Sequence, residues 1–383
     1  MKIANAEFEK RVKSVQARMK KEDMDLLIAH SHEADFANVR YLSDYWPIFE
    51  SAGVAVPRTG EPCLLIGPES ETFADGRSRL KNIFKLVEYR ESAEPDYPDI
   101  DVDTFEKVFK KLFGRKKIKK IGLAGYQLFP VPVYESIKKA APGAKIAKTK
   151  IISELRTVKS NSELRALKEA FRISETALEE TLKHMKEGMT ELEVVGIIEK
   201  ALYANGAEYE AHPQYVLSGK HSTHAIGRPG YRKLKKGDLV QLNIGARVAG
   251  YSASVGRPVS VGKMPEKMKE LVGQGLELHF KTIELIKGGV IAKNVVKGFF
   301  DHAKEIGAAD NLLYGPCHGL GMMEVEEPWM ESHSEYRLKE NMTFQVDTFL
   351  YGRQYGLRWE NGIVVTKAGA KQLSGKRMEI IEI

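Results

Sequence analysis

The chain has 383 residues, which is more than one ordinary core needs and enough for two domains of about 150 residues or more. Hydrophobic residues make up 43% of the chain and charged residues 29%, which is typical of a folded globular protein and excludes wholesale disorder. The net charge of +7 is spread along the chain, and its lysine runs are two residues long. This pattern indicates solvated surface lysines and argues against a nucleic-acid groove.

The two cysteines and the N-terminal segment further limit the classes of protein to which this chain can belong. Cys63 and Cys317 lie far apart without a CxxC, so neither a disulfide framework nor a thiolate zinc site is predicted. The N-terminal segment is charged and amphipathic, and no run of about 18 apolar residues occurs. We therefore expect a cytoplasmic protein with no nucleic-acid or membrane partner.

The first part of the chain alternates between helical and strand patterns. Residues Phe8, Val12, Val15 and Met19 have helical spacing, and short apolar runs bounded by turn residues follow them. This alternation predicts an α/β domain over residues 1–152. Its other expected elements are strands at Leu26–Ala29, Val54–Val56, Cys63–Ile66 and Ile121–Ala124, and helices at Asp103–Phe113 and Val133–Ala140.

The pattern changes near residues 151–159, and we place a second, α+β domain at residues 153–383. Ser160 and Glu163 are a helix-start signal for a long helix, and Thr190 begins the next one. A helical pair is expected between Met268 and Ile306. The expected strands are Tyr215–Ser218, Leu239–Ile244, Ser252–Val261, Thr343–Asp347 and Trp359–Val365.

Three ionisable residues stand among apolar neighbours in this second domain. They are His318, Asp347 and Glu360, and an ionisable side chain on an interior strand face costs free energy unless it is paired or binds something. Singly, each has a structural explanation, such as pairing with Arg353 or Arg358. Together, one imidazole and two carboxylates suit a divalent cation or a general acid–base site.

Several ordered motifs resemble one fold family. The segments Leu155–Lys159, Glu187–Glu191, Gly237–Val240 and His318–Gly321 resemble those of the pita-bread fold of Xaa-Pro aminopeptidases, prolidases, methionine aminopeptidases and creatinase. In the first domain, Asn38–Ser43 is similar to a segment of the creatinase-type N-terminal domain. The resemblance implies a creatinase-like domain over residues 1–152 and a pita-bread catalytic domain over 153–383.

The resemblance also implies a ligand set, and this chain departs from it. The peptidases of the family hold two metal ions with two aspartates, a histidine and two glutamates. The aspartate positions fall on Asn243 and Ser254, the histidine on His318, and the glutamates on Asp347 and Glu360. The positions of two assisting histidines fall on Ile226 and Val325.

The charge of the remaining ligand side chains determines how many metal ions this site is expected to bind. Two divalent cations carry +4, whereas Asp347 and Glu360 supply −2 and the serine and asparagine are neutral. A two-metal centre is therefore not expected. A single Mn, Zn, Fe or Co ion on His318, Asp347 and Glu360 is feasible, and a metal-free pocket stays open as well.

Creatinase resembles this chain in having an asparagine and a small uncharged residue at the two aspartate positions, and it works without metal. Its catalytic histidine falls on Ile226, so we take His224 as the leading proton carrier and His221 as its substitute. His318, Asp347 and Glu360 would complete the catalytic set. The substrate-binding candidates are Asn243, Ser254, Arg257, Glu326 and Arg358.

Three functions remain open at this point. The first is a creatinase-like hydrolase of a C–N bond in a small molecule, with water activated by histidine. The second is a single-metal Xaa-Pro dipeptidase or aminopeptidase. The third is a ligand-binding or scaffold protein that kept the fold and lost catalysis. The resemblance also implies a homodimer.

Overall fold

The computed structural model describes residues 2–383 and divides them into two compact units, residues 2–156 and residues 157–383. An α/β unit followed by a mixed α+β unit confirms the expected fold class. The division lies four residues beyond the expected boundary, because a short helix with buried Ile151 and Ile152 belongs to the first unit. Within residues 2–383, no helix is both long enough and apolar enough to cross a membrane.

The first unit begins and ends with helices and contains one sheet. The helices are α1 (Asn5–Lys21), α2 (Ala37–Ser43), α3 (Glu71–Arg77), α4 (Phe105–Phe113), α5 (Val131–Ala140) and α6 (Ile151–Arg156). The strands are β1 (Leu26–Ser31), β2 (Ala52–Pro57), β3 (Cys63–Ile66), β4 (Asn82–Lys85), β5 (Lys120–Ala124) and β6 (Lys145–Lys148).

The sheet of the first unit has the order β4-β3-β2-β1-β5-β6. Strand β1 pairs antiparallel with β2 and parallel with β5. Every residue of β1 and β2 is buried, which explains why Leu26–Ala29 and Ala52–Pro57 are continuous apolar runs instead of alternating patterns. Leu26 and Ile28 of β1 pack in one core cluster with Phe105 and Val133 from the helices.

The second unit opens with two long helices and closes with a strand-rich segment. Its helices are α7 (Asn161–His184), α8 (Glu191–Ala204), α9 (Glu266–Leu285) and α10 (Ala292–Glu305). Its strands are β7 (Tyr209–Glu210), β8 (Tyr215–Ser218), β9 (Leu239–Ile244), β10 (Ala246–Val248), β11 (Tyr251–Ser252), β12 (Val255–Ser260), β13 (Cys317–Gly319), β14 (Thr343–Tyr351), β15 (Gly356–Val365), β16 (Ala370–Gln372) and β17 (Ile381–Glu382).

Both opening helices start as their sequences predict. Ser160 and Glu163 form a reciprocal capping box at α7, and Thr190 and Glu193 form another at α8. The expected single strand over Ser252–Val261 is wrong in detail, because the chain changes partners there. Strand β11 pairs with β10 in a small sheet, whereas β12 pairs with β9 in the large one.

The large sheet of the second unit has the order β13-β14-β15-β12-β9-β8. Its register places polar residues in adjacent positions: Asp347 pairs with Glu360 across β14 and β15, and Gly256 pairs with Glu360 across β12 and β15. On the other side of β12, Gly256 pairs with Asn243 of β9. Four neighbouring strands, β14, β15, β12 and β9, therefore bring these residues together, and β13 adds His318 at the edge.

Candidate metal centre

The three residues singled out for their polarity converge. His318, Asp347 and Glu360 each offer one ligand atom, and these atoms lie within 4.8 Å of one another. All three residues are buried, with at most 7% of their surface exposed. They come from the adjacent strands β13, β14 and β15, so the sheet itself sets the spacing between them.

Two neutral residues bind one oxygen of Glu360. Asn243 donates from Nδ2 to Glu360 Oε2 in a very short contact, and Ser254 Oγ donates to the same oxygen at 2.8 Å. Gly256 makes room for this arrangement, since a Cβ at that position would lie 2.6 Å from the Cβ of Glu360. One oxygen of Glu360 is therefore occupied by hydrogen bonds from the protein.

A buried arginine adjoins Asp347. Arg358 Nε lies 3.2 Å from Asp347 Oδ1, and Arg358 Nη2 donates to the hydroxyl of Tyr314 at 2.8 Å. Tyr314 in turn donates to Asp347 Oδ2 at 2.7 Å. Burial lowers the pKa of Arg358, but the carboxylates of Asp347 and Glu360 outweigh it and raise that pKa, so the guanidinium is a permanent cation.

A third acidic residue, Glu324, adjoins the cluster. Its Oε1 lies 3.7 Å from His318 Nε2. Burial, and then the charge of Asp347, raise the pKa of Glu324 to about 7. Burial, followed by the neighbouring Glu324 and Asp347, raises the pKa of Glu360 well above its usual range. Three carboxyl groups this close oppose one another's ionisation unless a cation joins them.

The donor set fits one divalent cation. Among the described residues, Asn243 Oδ1, Glu324 Oε1 and Asp347 Oδ1 are buried oxygens without a hydrogen-bond partner, and an unsatisfied buried acceptor costs about 1–3 kcal/mol. One cation would neutralise the excess of acceptors. A second cation does not fit, because Glu360 Oε2 already accepts two hydrogen bonds and Asn243 and Ser254 bring no charge.

Two of the expected substrate-binding residues are corrected by the structure. Arg257 is fully buried, and its guanidinium donates to the backbone carbonyls of Gly256, Glu360 and Lys376 instead of facing a ligand. Glu326 accepts a hydrogen bond from Lys159 Nζ at 2.8 Å in a buried ion pair. Both side chains are therefore engaged in contacts within the chain: Arg257 with backbone carbonyls and Glu326 with Lys159.

The histidines proposed as proton carriers lie on a short 3₁₀ helix, Gly219–Thr223, and just after it. His221 Nδ1 lies 3.2 Å from Glu191 Oε1, and the rings of His221 and His224 stack with centroids 5.7 Å apart. His224 is exposed to solvent. The segment reaches the centre through the carbonyl of Ala225, which accepts a hydrogen bond from Arg358 at 2.7 Å. The catalytic role of either histidine stays a prediction.

Sequence reasoning missed three members of the cluster: Glu324, Tyr314 and His212. His212 Nε2 lies 3.0 Å from Ser254 Oγ, and burial lowers the pKa of this imidazole to about 4. All three lie outside the long apolar strands, so no alternating pattern singles them out. The one signal in the sequence is the cluster of His212, His221 and His224 along a short stretch, and the structure shows that His212 contacts Ser254, which donates to Glu360.

Comparison with known proteins assigns the family. Residues 165–367 match the profile described as metallopeptidase family M24, and residues 11–158 match the creatinase/prolidase N-terminal domain. The chain belongs to metallopeptidase family M24. This membership confirms the resemblance found in the sequence and the expectation of a hydrolase that acts on a C–N bond.

Relatives in this M24 family match almost the whole chain. A protein named Xaa-Pro dipeptidase from Pyrococcus horikoshii is 28% identical over 373 residues, which cover 97% of this chain and 98% of that one. The crystal structure of the prolidase from Pyrococcus horikoshii has a TM-score of 0.83 at 25% identity and covers 97% of this chain and 100% of its own. An X-Pro aminopeptidase structure from Thermotoga maritima, at 23% identity and a TM-score of 0.84, shows the same fold.

Proposed function

We propose that this M24 protein is a peptidase that hydrolyses short Xaa-Pro peptides, dipeptides above all, with one divalent cation bound by His318, Asp347 and Glu360. The observation that carries the proposal is the convergence of these three buried donors within 4.8 Å. The full-length similarity to a protein named Xaa-Pro dipeptidase supports the substrate class. A set of one imidazole and two carboxylates suits Mn, Zn, Fe or Co.

The relatives thus favour the second of the three sequence-based hypotheses over the creatinase-like one. When bound, a divalent cation supplies Lewis-acid polarisation of a scissile carbonyl. Glu324 would take a proton from the attacking water and pass it to the leaving nitrogen of the scissile bond, because its Oε1 has no hydrogen-bond partner within residues 2–383 and lies 3.7 Å from His318 Nε2. The burial of these side chains excludes bulk water from the reacting atoms.

Arg358 and Tyr314 orient Asp347 in this scheme. The guanidinium and the phenol hydroxyl each contact a different oxygen of the Asp347 carboxylate, so its rotation is restricted. Arg358 also binds the carbonyl of Ala225, which ties the segment after the 3₁₀ helix to the centre. We therefore assign Arg358 to positioning of Asp347 instead of direct substrate binding.

The creatinase-like, metal-free C–N hydrolase remains the second candidate because of one specific observation. The protein itself supplies part of the charge compensation, since Arg358 contacts Asp347 and two neutral donors bind Glu360. In that case the substrate would be a small amide or amidine, and catalysis would need no added cation.

Elemental analysis combined with peptide hydrolysis separates the two candidates. The protein purified without added metal should contain close to one ion of Mn, Zn, Fe or Co per chain, and a chelator should abolish cleavage of Xaa-Pro dipeptides. His318→Ala should lower kcat/KM by about 100-fold or more, whereas His184→Gln on the exposed end of α7 should not change it. Full hydrolysis by metal-free protein would reject the cation-dependent proposal and favour the second candidate.

Two further expectations accompany the proposal. A homodimer is expected from the family resemblance, and light scattering at micromolar concentration tests it, a monomeric mass being the contrary result. A cytoplasmic location is expected as well, and fractionation of cells that produce the protein tests it.

A further inference from the structure

His212 is held firmly in a short loop between β7 and β8. Gln214, two residues after His212, forms two hydrogen bonds with Gly245: it donates to the Gly245 carbonyl at 3.2 Å and accepts from the Gly245 N–H at 2.9 Å. Ala211 N–H also donates to the carbonyl of Gly245 at 2.9 Å. The loop is therefore fastened to the junction of β9 and β10 on both sides of His212.

The imidazole fills a space that the chain leaves open for it. A Cβ on Gly245 would lie 2.8 Å from His212 Nε2, so only glycine fits against this ring. Nε2 lies 3.0 Å from Ser254 Oγ, and Nδ1 lies 2.8 Å from the carbonyl oxygen of Pro213. A neutral imidazole carries one N–H, and the relay to Glu360 uses the Nε2–H tautomer, which donates to Ser254 Oγ while the Ser254 proton goes to Glu360 Oε2. Tyr215 packs edge-on against it with centroids 5.7 Å apart.

The contact with Ser254 extends to the candidate metal centre. The Ser254 hydroxyl lies between His212 Nε2 and Glu360 Oε2, at 3.0 and 2.8 Å. The same Glu360 oxygen also accepts from Asn243. A hydroxyl rotates freely unless both of its neighbours are fixed, and here His212 provides the fixed neighbour on the side away from the centre.

We propose that His212 is a positioning residue for the cation ligand Glu360: acting through Ser254, it holds one carboxylate oxygen and leaves the other for a single ion. This inference rests on the proposed function, since it assumes that Glu360 binds a cation. Groups hydrogen-bonded directly to a cation ligand, as Ser254 is to Glu360, set the orientation of that ligand and typically change cation affinity by about 10–100-fold when removed. His212 lies one hydrogen bond further from the ion and acts by fixing Ser254.

The test measures binding of Mn²⁺ alone to chelator-treated protein by titration calorimetry. The wild type should bind one Mn²⁺ per chain, and His212→Ala and Ser254→Ala should each weaken binding by about 10–100-fold. His212→Gln, whose amide can reach the Nε2 position, should restore most of the affinity. A merely structural role predicts parallel losses of melting temperature and affinity in both His212 variants, without selective rescue. His184→Gln is the matched control.

A second arm addresses the number of ions. The Asn243→Asp/Ser254→Asp variant adds two carboxylates to the centre and should bind a second Mn²⁺. Far-UV circular dichroism checks that this variant folds. If it does not fold, the single His212 and Ser254 variants decide the inference. Wild-type affinity in His212→Ala, or two ions per wild-type chain, would overturn this inference and leave the proposed peptidase function intact. Absence of Mn²⁺ binding in the wild type would overturn both.

Discussion

Acid sensitivity of the second unit should depend on one buried histidine, His279 on α9. The side chain is fully buried, and its Nδ1 lies 3.2 Å from Thr348 Oγ1 on β14. Burial, and then the positive charge of Arg257, lower the pKa of His279 from 6.5 to about 3. The imidazole is therefore neutral in the folded protein down to strongly acidic pH, whereas in the unfolded chain it takes up a proton below about pH 6.5.

The difference between the pKa of His279 in the folded and in the unfolded chain sets the sign and size of its effect on the free energy of unfolding. Since the folded pKa is depressed, His279 has no effect on stability above about pH 6.5, and its contribution becomes increasingly destabilising as the pH falls towards about 3. At about pH 5, the unfolded form is favoured by about 2 kcal/mol because of this one group. Substitution of His279 by glutamine, which is uncharged at all pH values, removes this pH-dependent contribution to the free energy of unfolding.

Urea denaturation followed by far-UV circular dichroism and tryptophan fluorescence measures the effect. His279→Gln should lose about 2 kcal/mol less unfolding free energy than the wild type between about pH 7 and pH 5. The variant can be less stable than the wild type at neutral pH, since the comparison uses only the change with pH. The exposed His184→Gln serves as control. The same pH dependence in His279→Gln and in the wild type would refute the reasoning.

Three other outcomes are expected. If Glu324 carries the proton, His224→Ala should keep kcat/KM within about threefold of the wild type, because the ring of His224 is exposed; a loss of orders of magnitude would favour His224 as the proton carrier instead. Cys63 and Cys317 are buried and unpaired, and burial raises the pKa of both thiols, so a thiol reagent should modify them only after unfolding; rapid labelling of native protein would contradict this. Gly362→Ala should lower stability by about 1–3 kcal/mol, measured in urea, because a methyl group there overlaps the Phe171 ring; an unchanged midpoint would show that the ring moves aside.

The sequence was informative where local pattern and chemistry coincide. Polar residues on otherwise apolar strands led directly to His318, Asp347 and Glu360, because burial without a partner or ligand is costly. The capping signals at Ser160 and Thr190 were equally direct, since the partner of each lies three residues away.

The remaining features depend on contacts between residues that lie far apart in the sequence, and no local pattern indicates such contacts. Glu326 was assigned to the substrate, whereas its partner Lys159 lies 167 positions away in the chain. His212 reaches the centre only because its loop is fastened to Gly245, which no periodicity reveals. Arg257 was misassigned because a fully buried guanidinium that binds backbone carbonyls looks the same in sequence as one that faces a ligand.

The direct opposition of Asp347 and Glu360 on β14 and β15 constrains how this chain can change over evolution. Successive side chains on a strand point to opposite faces, so inserting or deleting one residue before either donor within its strand would turn that donor away from the pocket. Residues 352–355, which join the two strands, carry no such restriction and can vary in length. Point replacement at fixed strand positions, as at Asn243, is thus the open route to new chemistry on this scaffold.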